Sequence, residues 1–275
     1  MDGRVSAGRP YRLALTLMAA ILLLVALFPI YWMVSSSVKS NTEILTSRIV
    51  PSHIVIQNYV SILERAPVIR WFANSLVVGV GTTVIAVLLS LLAAYALGRL
   101  QFPGRGVLYV VVLSGFMIPI HSIMIPLFIM LGAIGLGNSY GGLLLPLIVH
   151  PVSVLVLTQY FRAIDQEFED AARLDGAGDF QMLFRIMTPM AVPAIATVSI
   201  FIFTYSWNEF LWPLLIAQTA QMYTLPVGLA TLAGGDINIT YGPIMAANVI
   251  ASLPVFLVYA FFQRYIVSGI AMETR

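Results

Sequence analysis

The chain has no cysteine, a single lysine and only 9% charged residues over 275 positions. Without cysteine there is no disulfide framework, no thiol nucleophile and no thiolate metal site. The one lysine, Lys39, sits in "SSSVKSN" without the glycines of a G-x-x-x-x-G-K-[ST] phosphate loop, so the chain has no such ATP site of its own. A net charge of +2, with no basic run interleaved with aromatics, offers nucleic acid no footing. Soluble chains carry about 25% charged residues. At 60% hydrophobic residues and a mean hydropathy of +0.94, this chain has lipid as its main solvent.

What is present is long apolar runs. A transmembrane helix needs roughly 20 mostly apolar residues, and six windows qualify: 13–34, 72–98, 106–132, 141–162, 190–216 and 243–266. The first follows Arg4, Arg9 and Arg12 and resembles the start of a signal peptide. It is longer than an apolar signal core of about 7–15 residues and no A-x-A cleavage site follows, so it is read as a retained span. Gly79, Gly81, Pro119, Pro126, Pro146, Pro151, Pro213 and Pro254 fall inside the windows. Membrane bundles tolerate them because neighbouring helices re-satisfy the freed backbone groups. The expected fold class is an all-α membrane protein of six transmembrane helices. Its expected parts are an N-terminal span with an extracytoplasmic segment (1–71), a core (72–266) and a short tail (267–275).

Orientation follows from the basic residues of the loops. With the N-terminus inside, the inner set is Arg4, Arg9, Arg12, Arg99, Arg105, Arg162, Arg173, Arg185, Arg264 and Arg275; the outer set is Lys39, Arg48, Arg65 and Arg70. Ten against four places both termini in the cytoplasm, and with them the loop 163–189.

That loop holds Asp165, Glu167, Glu169, Asp170, Asp175 and Asp179, six of the chain's twelve acidic residues. A short helix would set Phe168, Ala172, Asp175 and Asp179 on one face and pair Glu169 with Arg173 at i,i+4. Ala171, Ala172 and Gly176 are small enough for another surface to come close. Spacing alone leaves a docking helix and a solvated turn both open.

Here the residues resemble a known family, the membrane-spanning permease subunits of binding-protein-dependent ABC importers. The family's loop motif reads E-A-A, three residues, G, nine residues, I-x-L-P. This chain has Asp170-Ala171-Ala172, Gly176 and Ile186-Met187-Thr188-Pro189 at the same spacing, with aspartate for glutamate and threonine for leucine. "NSLVVGVGTTVIAVLLSLLAAYALGRLQFPGR" (74–105), "SWNEFLWPLLI" (206–216), "YTLPVGL" (223–229) and "QRYIVSGI" (263–270) are similar to further stretches of the sugar-transporting branch, especially the smaller permease of the maltose-type pair. The usual glycine-lysine tail is replaced by "AMETR".

The resemblance implies a type I importer permease fold in a prokaryotic cell membrane and a transporter subunit rather than an enzyme. It implies a coupling site for the ATPase at Asp170, Ala171, Ala172, Asp175 and Gly176. The implied partners are a second, heterologous permease, two ATP-binding subunits that hold ATP and Mg, and an extracytoplasmic solute-binding protein contacting the flexible polar loop 217–242.

Glu209 is the one acidic residue inside an expected span. A charge there costs several kcal/mol and usually faces an interior or a cavity. It reads either as a substrate-path group, with Trp207 for sugar stacking and Asn208 for hydrogen bonds, or as helix–helix glue. His53, His121 and His150 are scattered and point to no metal site. No second carboxylate accompanies Glu209 for acid/base chemistry. Ala94 and Gly98 would permit a close helix crossing. The competing function is an ion-coupled secondary carrier, for which broken repeats and more midplane ionisable groups are expected. No Lys or Arg lies deep in a span, which favours a neutral sugar or polyol over a sugar phosphate.

Overall fold

The computed structural model describes residues 9–235 and 240–272, with side chains at 11–234 and 240–262. Arg4, Arg275, residues 236–239 and the side chains of Arg9 and of the 263–270 stretch, Arg264 among them, lie outside the described residues. Among the described residues all regular structure is helical. In chain order it comprises α1 (Arg9–Ser37), α2 (Asn41–Leu45), α3 (Gln57–Arg65), α4 (Val68–Gly98), α5 (Arg105–Met117), α6 (Ile120–Ala133), α7 (Tyr140–Leu144), α8 (Pro151–Ala163), α9 (Glu167–Leu174), α10 (Asp179–Gln181), α11 (Thr188–Met190), α12 (Val192–Asn208), α13 (Leu211–Ile216), α14 (Leu225–Gly235) and α15 (Tyr241–Met272).

Within α1, α4 and α15 are single stretches long and apolar enough to cross a membrane. Three bent pairs pass the same test only when each is taken together: α5 with α6 at 96° and Tyr140–Leu147 with α8 at 49°, near the windows 106–132 and 141–162, and Asp179–Met190 with α12 at 82°, which begins inside the expected loop 163–189 rather than at 190. The windows 106–132 and 141–162 each hold a break, and proline sits at both. Ile118 and Pro119 are both extended, with ψ of 111° and 126°. His150, just before Pro151, is held at φ −122°, ψ 86°, outside the helical region. Pro193 in the first turn of α12 donates no backbone hydrogen bond. The fifth window also ends early, because Glu209 at φ −63°, ψ 125° closes α12.

The described residues form two compact units, one of the chain up to residue 66 with the described part of 231–251, and one of 67–230 with the described residues from 252 on. In the first, the apolar window of α1 is wholly exposed within the chain. Beyond α1 the backbone is knotted around the sole lysine. Buried Lys39 donates from Nζ to the carbonyls of Arg48 (2.6 Å) and Ile49 (2.9 Å) and lies 4.4 Å over the Trp32 ring. Tyr31 and Ser35 hydroxyls donate to the same Ile49 carbonyl. Asn58 Nδ2 donates to the carbonyls of Ser37 and Lys39, each at 2.9 Å. Gly242 lies so close that a Cβ would come within 2.6 Å of that amide, so no larger residue fits unless the amide shifts.

α2 is opened by a capping box in which Ser40 Oγ accepts from the Glu43 N–H while Glu43 accepts from the Ser40 N–H. Glu43 also accepts from the Ser52 N–H at 2.8 Å. The Ser52 bonds, then Ser40, hold its carboxyl at about 2, against an ordinary 4.5. Folding therefore favours the ionised form: the contribution is complete above pH 4.5 and is lost as pH falls through about 2. The expected result is that amide protection over residues 40–52 exceeds that of Glu43→Gln at any pH above 4.5, and that the difference closes near pH 2. Equal exchange in the two proteins at neutral pH counts against this clasp.

In the second unit α4 packs chiefly against α8 and α12. Ala86, Leu91, Ala94 and Tyr95 meet Leu157 and Phe161 of α8 and Ala194, Val198 and Ile202 of α12. Small residues set the crossings: a Cβ on Gly98 would sit 3.4 Å from the Thr158 carbonyl, and one on Gly79 3.1 Å from the Phe203 ring. A second cluster joins Val78, Met124, Leu131, Leu143, Leu147, Trp212 and Ile216. Of the loop 217–242, expected to be flexible and polar, residues 236–239 lie outside the described residues, while the stretch directly after α13 is tied down by hydrogen bonds. Asn138 Oδ1 accepts from the N–H groups of Gln218 and Thr219, Trp71 Nε1 donates to the Ala220 carbonyl, and Asn74 Nδ2 donates to those of Gln221 and Tyr223. From Leu225 the chain is helical again.

Candidate functional site

The acidic loop folds as α9, and its first turn carries Glu167, Glu169 and Asp170, which suit the positive end of the helix dipole. The helix ends at Gly176, whose φ of +82° is the left-handed region that favours glycine. The Ala177 N–H donates to the Ala172 carbonyl and the Gly176 N–H to that of Arg173, the paired bonds of a Schellman cap.

Asp170, Ala171, Asp175 and Gly176 are exposed, whereas Ala172 is buried against Tyr95, Phe161, Met182 and Leu183. The expected Glu169–Arg173 pair does not form. Glu169 turns inward with Ala172 and pairs with Arg99 at 2.9 Å, while Arg173 reaches forward to Asp179 at 3.3 Å. Asp175 and Asp179 lie beyond the end of α9, so the expected four-residue face is also broken. Around the small residues stand apolar side chains in the open: Leu174 at 89% exposure, Phe180 at 73% and Phe168 at 51%. Nothing lies within 4 Å of a Cβ built on Gly176. The face is thus small, apolar, rimmed by carboxylates and uncovered by its own chain.

The motif's second half, Ile186 to Pro189, closes a π-helical stretch, Met182–Met187. Pro189 has no N–H for the Arg185 carbonyl and its ring crowds that oxygen, which favours the wider turn. Met187 is fully buried, so this half anchors the loop to the body.

A second candidate site lies at the end of α12. A shallow, open cavity of about 350 Å³ is lined by Phe201, Thr204, Tyr205, Asn208 and Glu209. Glu209 is buried, and its Oε1 accepts from the Trp212 N–H at 3.1 Å, which fixes the start of α13. Asn208 donates from Nδ2 to the Thr204 carbonyl. His150 stands edge-on to Phe201 and Tyr205, with ring centres 6.3 and 5.5 Å away. Trp207 faces elsewhere: it is buried, stacked on Phe203 at 5.7 Å and edge-on to Phe72. The structure therefore brings Asn208 and Glu209 together without Trp207, and the aromatic faces of the cavity are Phe201 and Tyr205. Their four-residue spacing to Glu209 is the sequence signal that would have found them.

Residues 86–272 match the family described as "Binding-protein-dependent transport system inner membrane component". The chain is 38% identical to the arabinooligosaccharides transport system permease protein AraQ of Bacillus subtilis over 95% of each sequence. It is 35% identical to the diacetylchitobiose uptake system permease protein NgcG of Streptomyces coelicolor, over 98% of this chain and 92% of that one. Its fold matches a chain of a bacterial ABC transporter that imports the acidic polysaccharide alginate, with a TM-score of 0.86, 25% identity, and coverage of 96% and 99%.

Proposed function

Because the chain belongs to the family of inner membrane components of binding-protein-dependent transport systems, and is thus an ABC importer permease subunit, we propose that it forms half of a path for a neutral sugar or polyol, driven by ATP hydrolysed on partner subunits docked at α9. Family membership sets aside the secondary-carrier reading. The observation that carries the docking assignment is the uncovered face of α9: exposed Asp170, Ala171, Asp175 and Gly176 beside exposed Leu174 and Phe180. An apolar patch of that kind in a chain of this family calls for a partner. In this reading α9 lies in the cytoplasm, and ATP and Mg are bound by two ATPase subunits. A second permease supplies the other half of the path, and a solute-binding protein delivers the sugar from outside. ATP binding then shifts the population of inward- and outward-facing states through α9.

Two observations support a neutral substrate. The α12 cavity carries a carboxylate, Glu209, and no cation among its lining residues. AraQ and NgcG are named for arabinooligosaccharides and diacetylchitobiose, whereas the structurally matched importer takes the acidic polysaccharide alginate, so this second support comes from the sequence relatives alone.

The test is to capture the tagged chain from its native membrane in mild detergent and identify what is retained by mass spectrometry. Recovery of an ABC ATPase and a second permease is expected. Recovery of the folded chain alone overturns the partner assignment.

A further inference from the structure

One buried charge pair belongs to neither the docking face nor the cavity. Arg99 Nε and Glu169 Oε1 lie 2.9 Å apart, with 11% and 8% of their side chains exposed. Arg99 follows directly on the last residue of α4, and its Nη2 also donates to the Ile164 carbonyl at the start of the acidic loop. The end of α4 therefore touches the loop at its start and in its middle.

That end of α4 is also unusually firm. The last carbonyls of a helix lack partners within it and ordinarily fray. Here Arg105 donates to the carbonyls of Leu97 (2.8 Å), Gly98 (3.0 Å) and Leu100 (3.0 Å), and Arg162 donates to Leu97 as well. A displacement of α9 would press on a fixed helix end rather than a loose one.

Stability alone does not explain the pair. Two charges removed from water recover little net energy, and a well-packed apolar pair often serves as well. Arg99 Nε and Glu169 Oε1 are buried with no other polar partner, so each charge is compensated by the other. What a charge pair adds over apolar packing is registry: it fixes α9 at one azimuth and one height against α4.

We propose that Arg99 and Glu169 form a strut that carries the ATP-driven displacement of α9 into α4, a positioning pair for transport. This rests on the reading of α9 as the ATPase docking helix. The chain has no cysteine, so spin labels can be placed at Leu89→Cys on α4 and Ile125→Cys on α6, both exposed positions, in the whole importer.

With ATP and vanadate the separation of the labels is expected to shift by on the order of 1–2 Å. Glu169→Gln should lose the shift while the ATPase subunits still bind nucleotide, and reversal of the pair (Arg99→Glu with Glu169→Arg) should recover it. A shift retained in Glu169→Gln, or absent from the parent protein, overturns the strut. Where Glu169→Gln does not assemble, Glu169→Asp decides, since it keeps the charge and shortens the arm by one methylene. A full shift there overturns the proposal, and a reduced one supports it. Gly176→Arg separates the strut from the reading beneath it. If Gly176→Arg abolishes the shift and Glu169→Gln does not, the strut fails alone; if neither does, the docking helix fails with it.

Discussion

Gly176→Arg is expected to reach the membrane in normal amount and to lower sugar uptake at least about tenfold, inside the 5–150-fold range typical of coupling between two sites. Two effects of the substitution have to be separated. Gly176 sits at φ +82°, so any side chain there costs roughly 1–2 kcal/mol of backbone strain. The site itself is open, with nothing within 4 Å of an added Cβ. Gly176→Ala carries the strain without the bulk, so it should transport nearly as the parent does. The difference between the two variants then measures what a partner would feel rather than what the chain feels. Uptake by Gly176→Arg equal to that of Gly176→Ala would sink the docking assignment.

The apolar helices were largely legible because a bilayer imposes a length, and windows of about 20 apolar residues report it directly. Their shape was not. Pro119 and Pro151 were visible, but a proline in a membrane helix is tolerated whenever neighbours re-satisfy the backbone. Neither the 96° turn after Met117 nor the 49° turn before Pro151 follows from the residue alone. Much of the acidic loop was legible too, since a short helix was one of two open readings and Gly176 falls where a helix must end. The error came at Glu169. The i,i+4 rule offered Arg173, four residues away. The partner that won, Arg99, is 70 positions upstream and reaches Glu169 only because the fold brings the end of α4 beside α9. Local spacing sees helix faces and is blind to which face the body of the protein covers.

The same blindness grouped Trp207 with Asn208 and Glu209 in the path reading. Lipid is as apolar as a protein core, so hydropathy does not separate a lipid-facing, a bundle-facing and a cavity-facing aromatic residue. Trp207, Phe203 and Phe72 bury one another, while Phe201 and Tyr205, one turn apart on α12, line the cavity.

That division yields an expected contrast between two neighbouring substitutions. Tyr205→Ala should raise the half-saturating sugar concentration about tenfold with little change in expression, because a sugar face stacked on an aromatic ring is worth about 1.5 kcal/mol. Trp207→Ala should act the other way. It removes a buried indole and leaves a void, a loss of about 3–5 kcal/mol in folding, so yield and thermal stability fall while the protein that does fold keeps its affinity. Glu209→Gln supplies the third measurement. Glutamine keeps an Oε1 acceptor for the Trp212 N–H, so the bend into α13 survives and only the charge is lost. Uptake titrations of the three variants, read beside their melting temperatures, distinguish a path from a scaffold. A raised half-saturation in Tyr205→Ala and Glu209→Gln places the sugar in the cavity of α12. Unchanged affinity in both, with only Trp207→Ala destabilised, makes this end of the helix structural and moves the path to the partner permease.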